Sequence, residues 1–260
     1  MTALGAGVAV GDAADAPAPV MVRKRLGMPR LAPRPFPPSL ALPAHFTPPT
    51  LQRVPLPGGR LGALPGDGNL LALTVDDGVD SAVVAAYANW IADSGMRVTF
   101  FLNGSRSSWT DNADALRPLV ANGQVQLANH TWAHPDLTAC SDARIEDELL
   151  HNNAFIRDTY GVEARPYYRP PFGFIDARVT AVAASVGYTQ PVLWYGSLAD
   201  SGLLTDAQLM QFATDWLLPD HIVIGHANWP TVTRHFSEIA DLIRARGLQP
   251  VTLDDVFLRP

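Results

Sequence analysis

From Leu70 to the C-terminus, short apolar runs of strand length alternate with longer segments of helical period. Leu70-Leu71-Ala72-Leu73-Thr74-Val75 is continuously apolar, as a strand covered on both faces must be. Ser81 to Ser94 reads as a helix stopped by Gly95. Val98 to Leu102 reads as the next strand, Ala113 to Ala121 as a helix stopped by Asn122-Gly123, and Val125 to Ala128 as a third strand. Helices follow at Asp142 to Tyr160 and Arg178 to Val186, a strand at Gln190 to Trp194, and a helix near Asp206 to Trp216. Ile222 to Ile224, a helix from about His235 to Arg246, and Pro250 to Leu253 complete the pattern. About seven such units in roughly 190 residues predict a parallel α/β barrel or a doubly wound sheet. No internal repeat is visible.

The segment before this pattern has a different texture. Of the 23 prolines, 13 precede residue 70, in runs such as Pro33-Arg34-Pro35-Phe36-Pro37-Pro38. Proline fixes φ and removes a donor, so such a segment favours extended chain over a packed fold. Residues 1–65 are read as a leader and arm, and 66–260 as the folded domain, with Leu40, Leu42, Phe46, Leu51 and Val54 able to dock the arm. Met1 to Pro19 is small, apolar and Ala-rich, but Arg23-Lys24-Arg25 follows it, the reverse of an intact export signal. It is either the tail of such a signal or a plain leader.

Composition removes several classes of function. Hydrophobic residues make up 47% and charged residues 17%, which suits a packed core. The net charge of −6 and the lack of a basic run disfavour a nucleic-acid partner. No apolar run reaches the roughly 20 residues of a transmembrane helix. The single cysteine, Cys140, excludes an intramolecular disulfide and is read as a small core or loop residue. No glycine-rich phosphate loop follows the first strand.

Chemistry-bearing residues gather at expected strand ends. Asp76-Asp77-Gly78 closes the first strand, and His130-Thr131-Trp132-Ala133-His134-Pro135 follows the third. Trp194 and His226 end two later strands. In barrels of this kind that end carries catalysis. Asp77-Gly78 alone would be an ordinary turn, and His226 alone a satisfied core histidine. Two imidazoles four residues apart, with one carboxylate, leave a coordination position open, as a catalytic zinc site requires. Because His134 precedes proline, the pair is expected on a loop rather than on one helix face.

These motifs resemble those of the polysaccharide deacetylases, the NodB-homology or carbohydrate esterase 4 family. Thr74-Val75-Asp76-Asp77-Gly78 is similar to the family's T-F-D-D-G, and His130 to Pro135 to its H-[ST]-x-x-H-P. Tyr168-Arg169-Pro170-Pro171-Phe172-Gly173 is similar to R-x-P-Y, with Phe172 in place of Tyr, and Ile224-Gly225-His226 to L-x-H. The resemblance covers about residues 70–258 and implies a distorted parallel (β/α)7-type barrel. It implies that Asp77, His130 and His134 hold a divalent metal, Zn2+ or another such as Co2+. It assigns the general base to Asp76, the general acid to His226, the orientation of Asp76 to Arg169, and an oxyanion-binding backbone N–H to Phe172.

One segment departs from the family. After the Trp-ended strand the family has D-x-x-D-W; here Ser197 takes the place of the first Asp, Asp200 of the second, and Ser201 of the Trp. What tunes His226 is therefore open, and Asp200 is the residue available. Trp194, Trp229 and Asp200 are the groove candidates, with core packing the competing role for each Trp. The implied activity is metal-dependent removal of N-acetyl groups from amino-sugar polysaccharides or oligosaccharides, with export expected from that substrate class. O-acetyl esterase action, as on acetylxylan, and non-sugar amidase action use the same site. A catalytically silent carbohydrate-binding domain is the alternative from another class.

Overall fold

The structure is a computed structural model and describes residues 45–66 and 68–260. Leu40, Leu42 and the leader up to residue 44 lie outside the described residues. The chain runs through β1 (Val54–Pro55), β2 (Leu70–Asp77), α1 (Ser81–Ser94), β3 (Val98–Leu102), α2 (Ser108–Asp111) and α3 (Ala113–Ala121). It continues through β4 (Val125–Asn129), α4 (Asp142–Tyr160), β5 (Tyr167–Tyr168), α5 (Ala177–Ser185), β6 (Gln190–Pro191) and β7 (Gly196–Ser197). It ends with α6 (Asp206–Trp216), β8 (His221–His226), α7 (Phe236–Ala245), β9 (Gln249–Pro250), α8 (Leu253–Val256) and β10 (Phe257–Leu258).

Eight strands form one all-parallel sheet in the order β6-β5-β4-β3-β2-β8-β7, with β9 added to β2. It curls into an open barrel with the helices outside, as the alternation requires. The helix bounds follow from local chemistry. Asp80 caps α1 by accepting from the Ala82 and Val83 N–H groups, and Gly95 ends it in the left-handed region. Ser141 and Gly161 do the same for α4, and Thr205 with Gln208 forms a capping box on α6.

Side chains on β2 alternate between two clusters. Leu71, Leu73 and Val75 face the helices and belong to the larger core. Ala72 faces the barrel interior, with Phe101, Ala128, Tyr167, Val192 and Ile222. No ladder joins β6 to β7, so the sheet does not close on itself there. The strand expected over Gln190 to Trp194 stops at Pro191, because the chain then pairs with the arm. The Leu61 N–H donates to Pro191 O at 2.9 Å and Leu61 O accepts from Leu193 N–H at 2.7 Å; the Leu64 N–H donates to Asp220 O at 2.9 Å. Leu61 and Leu64 are buried in the interior cluster, and Phe46 packs on the outer core. Leu51 and Val54 are exposed.

Candidate active site

Strand parity decides which side chains reach the cleft at the C-terminal end of the sheet. Counting on in twos from the interior residues leads from Ala72 to Asp76, from Ala128 to His130, from Tyr167 to Arg169, and from Ile222 to His226. All four therefore stand on one wall-to-wall ring of interior positions. Asp77 has the opposite parity. Its φ of 71° turns the strand end, so that its carboxylate enters the same cleft. Gly78 follows with φ of 92°, and a Cβ there would lie 2.4 Å from Trp109 Nε1. Only glycine fits, and the indole in that space donates to Asp77 O at 2.8 Å. The turn is thus wedged from behind by Trp109.

His130 and His134 lie on a loop, with Thr131 at φ 70° and His134 at φ 61°. Buried amides and one buried acid hold this loop. Asn103 Nδ2 donates to His130 O at 2.6 Å and to Thr131 O at 3.1 Å. Asn129 Oδ1 accepts from Thr131 N–H at 2.8 Å. Glu148, fully buried on α4, accepts from Ala133 N–H at 2.7 Å and is neutralised by Arg144. His130 Nδ1–H donates to Arg169 O at 2.7 Å, which leaves the Nε2 lone pair facing the cleft.

Asp77, His130 and His134 each offer one donor atom within 4.8 Å of the others, and they are the only such trio among the described residues. Asp77 Oδ1 lies 3.4 Å from both His130 Nε2 and His134 Nε2. Donor atoms about 2.1 Å from a tetrahedral zinc lie about 3.4 Å apart, so the spacing fits such an ion. The donor set also fits: two imidazoles and one carboxylate are the nitrogen and oxygen donors that such an ion takes. Burial opposes the Asp77 charge, yet the hydrogen bond and charges of the three histidines hold its pKa far below the usual range. Burial, aided by the charge of His130, lowers His134 to about 4, while burial of His130 is outweighed by the Asp76 and Asp77 carboxylates, which raise it.

Asp76 stands beside the trio and is only 2% exposed. Its Oδ1 accepts from Arg169 Nη1 at 2.5 Å, and its Oδ2 lies 3.5 Å from His130 Nε2. Arg169 is fully buried and donates also to Val192 O and Leu193 O. Its guanidinium lies 4.1 Å from the Phe101 ring and 5.6 Å from Trp194. A buried pair this well satisfied gives the carboxylate a fixed counter-charge and fixes its direction.

His226 faces the trio from β8. Asp200, grouped in sequence with the groove aromatics, is 2% exposed and its Oδ1 lies 3.1 Å from His226 Nδ1. Burial disfavours the imidazolium, but the Asp200 hydrogen bond and charge, with Asp77 and Asp76, outweigh it and raise the pKa to about 9. The question left open by Ser197 thus has a geometric answer, one turn further along the chain. Phe172 is 47% exposed with φ of 60°, and its ring meets His134 edge-on at 4.6 Å. Trp229 is 42% exposed and donates to Ser201 O; Trp194 is half-buried beside Gly173.

The sequence profile described as polysaccharide deacetylase matches residues 64–191, the stretch that carries both the Asp-Asp turn and the histidine loop. Residues 64–191 belong to the polysaccharide deacetylase family. The chain is 31% identical to chitin deacetylase 1 of Cryptococcus neoformans over 67% of this chain and 35% of that one. It is 26% identical to a peptidoglycan-N-acetylglucosamine deacetylase of Listeria monocytogenes over 72% of this chain and 38% of that one. The chain therefore spans somewhat over a third of the length of these relatives. Among solved structures it resembles a carbohydrate esterase 4 family pseudoenzyme from Bacillus anthracis, with TM-score 0.67 and 18% identity over 78% of this chain and 72% of that one. That likeness shows the fold.

In this deacetylase-family site, several supporting residues carry no sequence motif. Trp109, Asn103, Glu148 and Asn228 belong to loops and helices whose periodicity says nothing of their polar partners. The only sequence signal is proximity: Asn129 precedes His130, and Asn228 follows His226 by two positions. Five of the six non-glycine residues with positive φ among the described residues are Asp77, Thr131, His134, Phe172 and Ala199. Each such residue costs about 1–3 kcal/mol, and here the strain collects around the cleft.

Proposed function

We propose that this protein is a metal-dependent deacetylase that removes N-acetyl groups from amino-sugar polymers or oligomers of the chitin or peptidoglycan type, releasing acetate. The observation that carries this reading is the pair of opposed proton-handling groups beside the donor trio. Asp76 is ion-paired with Arg169, while His226 is held cationic by Asp200. A divalent metal, zinc in this proposal and cobalt as a substitute, would be held by Asp77, His130 and His134 and would supply Lewis acidity at the scissile carbonyl.

The chain's own groups do the rest. Asp76 takes a proton from the attacking water, with Arg169 fixing the carboxylate's aim. The Phe172 backbone N–H, on its positive-φ turn beside His134, donates to the developing oxyanion. His226 gives its proton to the departing nitrogen, and Asp200 keeps the imidazole charged until it does. Need for such an acid favours amide over ester substrates, because an amine leaves only once protonated. Trp194, Trp229 and the Phe172 ring line the approach and suit stacking on sugar faces. Residues 66–260 form the deacetylase domain in this reading, and residues 1–65 an arm that lends it Leu61 and Leu64. No helix among the described residues is long and apolar enough to cross a membrane, and action at the cell envelope after export is proposed from the substrate class.

The decisive test measures metal content and acetate release from chito-oligosaccharides, peptidoglycan and acetylxylan. Wild type is expected to hold one equivalent of metal and release acetate from an amino-sugar substrate. Asp77→Ala should lose the metal, and Asp76→Asn should keep it while losing about 10²–10⁴-fold in rate. A metal-free wild type would overturn the assignment. Metal without acetate release from any of the three would favour a silent or non-sugar role.

A further inference from the structure

Asn228 lies two residues beyond His226, where the chain leaves β8, and no motif or matched family segment includes it. Its Nδ2 donates to Asp77 Oδ2 at 2.7 Å. The other oxygen of that carboxylate, Oδ1, is the one 3.4 Å from both His130 Nε2 and His134 Nε2. The two carboxylate oxygens therefore have divided duties. One points at the imidazole donors, and the other is capped by an amide.

The amide itself cannot be turned round. Asn228 Oδ1 accepts from Val79 N–H at 3.2 Å, so its nitrogen must be the atom facing Asp77. The backbone on either side is laced to the same turn. Ala227 N–H donates to Asp76 O at 3.0 Å, and Asp80 N–H donates to Ala227 O at 3.2 Å. Segment 227–228 and segment 76–80 thus share four hydrogen bonds, two through the Asn228 side chain. The chemistry of the cap is as specific as its geometry. A lysine or arginine in this position would hold Asp77 equally well, but its charge would repel a cation and weaken the ligand. A neutral amide fixes the carboxylate and leaves its charge available. It also holds Oδ2 away, which commits Asp77 to binding through Oδ1 alone.

We infer that Asn228 is a positioning residue for Asp77: it sets the affinity of the trio for a divalent metal and ties the metal site to the segment that carries His226. This rests on the proposed reading that Asp77, His130 and His134 hold that metal. Outer partners of metal ligands typically change affinity by roughly 10–100-fold when removed. Because the partner acts on the ligand rather than on the substrate, its loss is repaired by adding metal.

The test uses the full chain, stripped with a chelator and titrated with Zn2+ against a fluorescent competitor. Two variants are compared with wild type. Asn228→Ala removes the side chain, and Asn228→Leu keeps its branched shape while removing both hydrogen bonds. Each should bind Zn2+ roughly 10–100-fold more weakly, with the metal-free melting temperature close to that of wild type. Acetate release by the variants at limiting Zn2+ should recover as Zn2+ is raised, which a purely structural lesion would not do. With Co2+ in place of Zn2+, the visible ligand-field bands should change in the variants, because Asp77 is no longer held to one oxygen. Zn2+ binding within twofold of wild type by either folded variant overturns the role of Asn228. Failure of wild type to bind Zn2+ or Co2+ overturns the metal-site reading, and the role of Asn228 with it.

Discussion

The proton on His226 is held by groups that differ in kind. Burial works against it, while Asp200, bonded at 3.1 Å, supplies the first of the opposing effects and the acids around the trio the rest. The folded pKa of about 9 lies above the ordinary value of 6.5. Protonation therefore stabilises the fold below about 6.5, and that stability is lost as pH rises through about 9. If His226 is the acid, kcat should fall along the same limb, and Asp200→Asn should move it down by on the order of one unit. A pH–rate profile with the same basic limb in both proteins would remove Asp200 from that role. At this scale the sequence places Asp76, His130 and His226 at strand ends, because their strands are mostly apolar runs, whereas Arg169 follows a two-residue strand and is marked only by its motif. The sequence also names Asp200 as the carboxylate available to His226, but not whether it could reach. That residue reaches His226 through a loop, where no period links sequence to direction.

Among the elements, the exit of β2 has the least freedom. Gly78 is packed against Trp109 of α2, a short helix that the periodic reading passed over. Gly78→Ala should destabilise the protein by about 1–3 kcal/mol through overpacking, and should also weaken metal binding, since Asp77 shares the turn. Asp80→Ala, which only uncaps α1, should destabilise by about 1 kcal/mol and leave metal affinity alone. Urea unfolding with parallel Zn2+ titration separates the two, and equal loss of affinity in both variants would show that the wedge is not specific. The bounds of α1, α3, α4 and α6 match their sequence signals because caps and stop residues are local chemistry. The two-residue strands β5 and β7 were not legible, because pairing across the sheet, rather than their own sequence, makes them strands.

In the folded domain as a whole, the sheet is left open between β6 and β7, and residues 61–64 hydrogen-bond to Pro191 and Leu193 at the β6 side and to Asp220, just before β8. Leu61 and Leu64 are fixed among interior residues drawn from five strands and the C-terminal segment. Leu64→Ala should therefore destabilise the domain by about 2–5 kcal/mol without changing Zn2+ affinity, because its partner Asp220 lies at the end of β8 opposite His226. Calorimetry and metal titration on the same sample check both halves, and a neutral melting temperature would mean the arm is not part of the core. The partners of this stretch, at Pro191, Leu193 and Asp220, are about 130 to 155 residues further along. A ribosome delivers Leu61 and Leu64 long before anything exists for them to rest on. Contacts of such long sequence separation form slowly. This stretch of the arm is thus made well before it can be seated, and its two apolar side chains stay uncovered until the chain has reached Asp220.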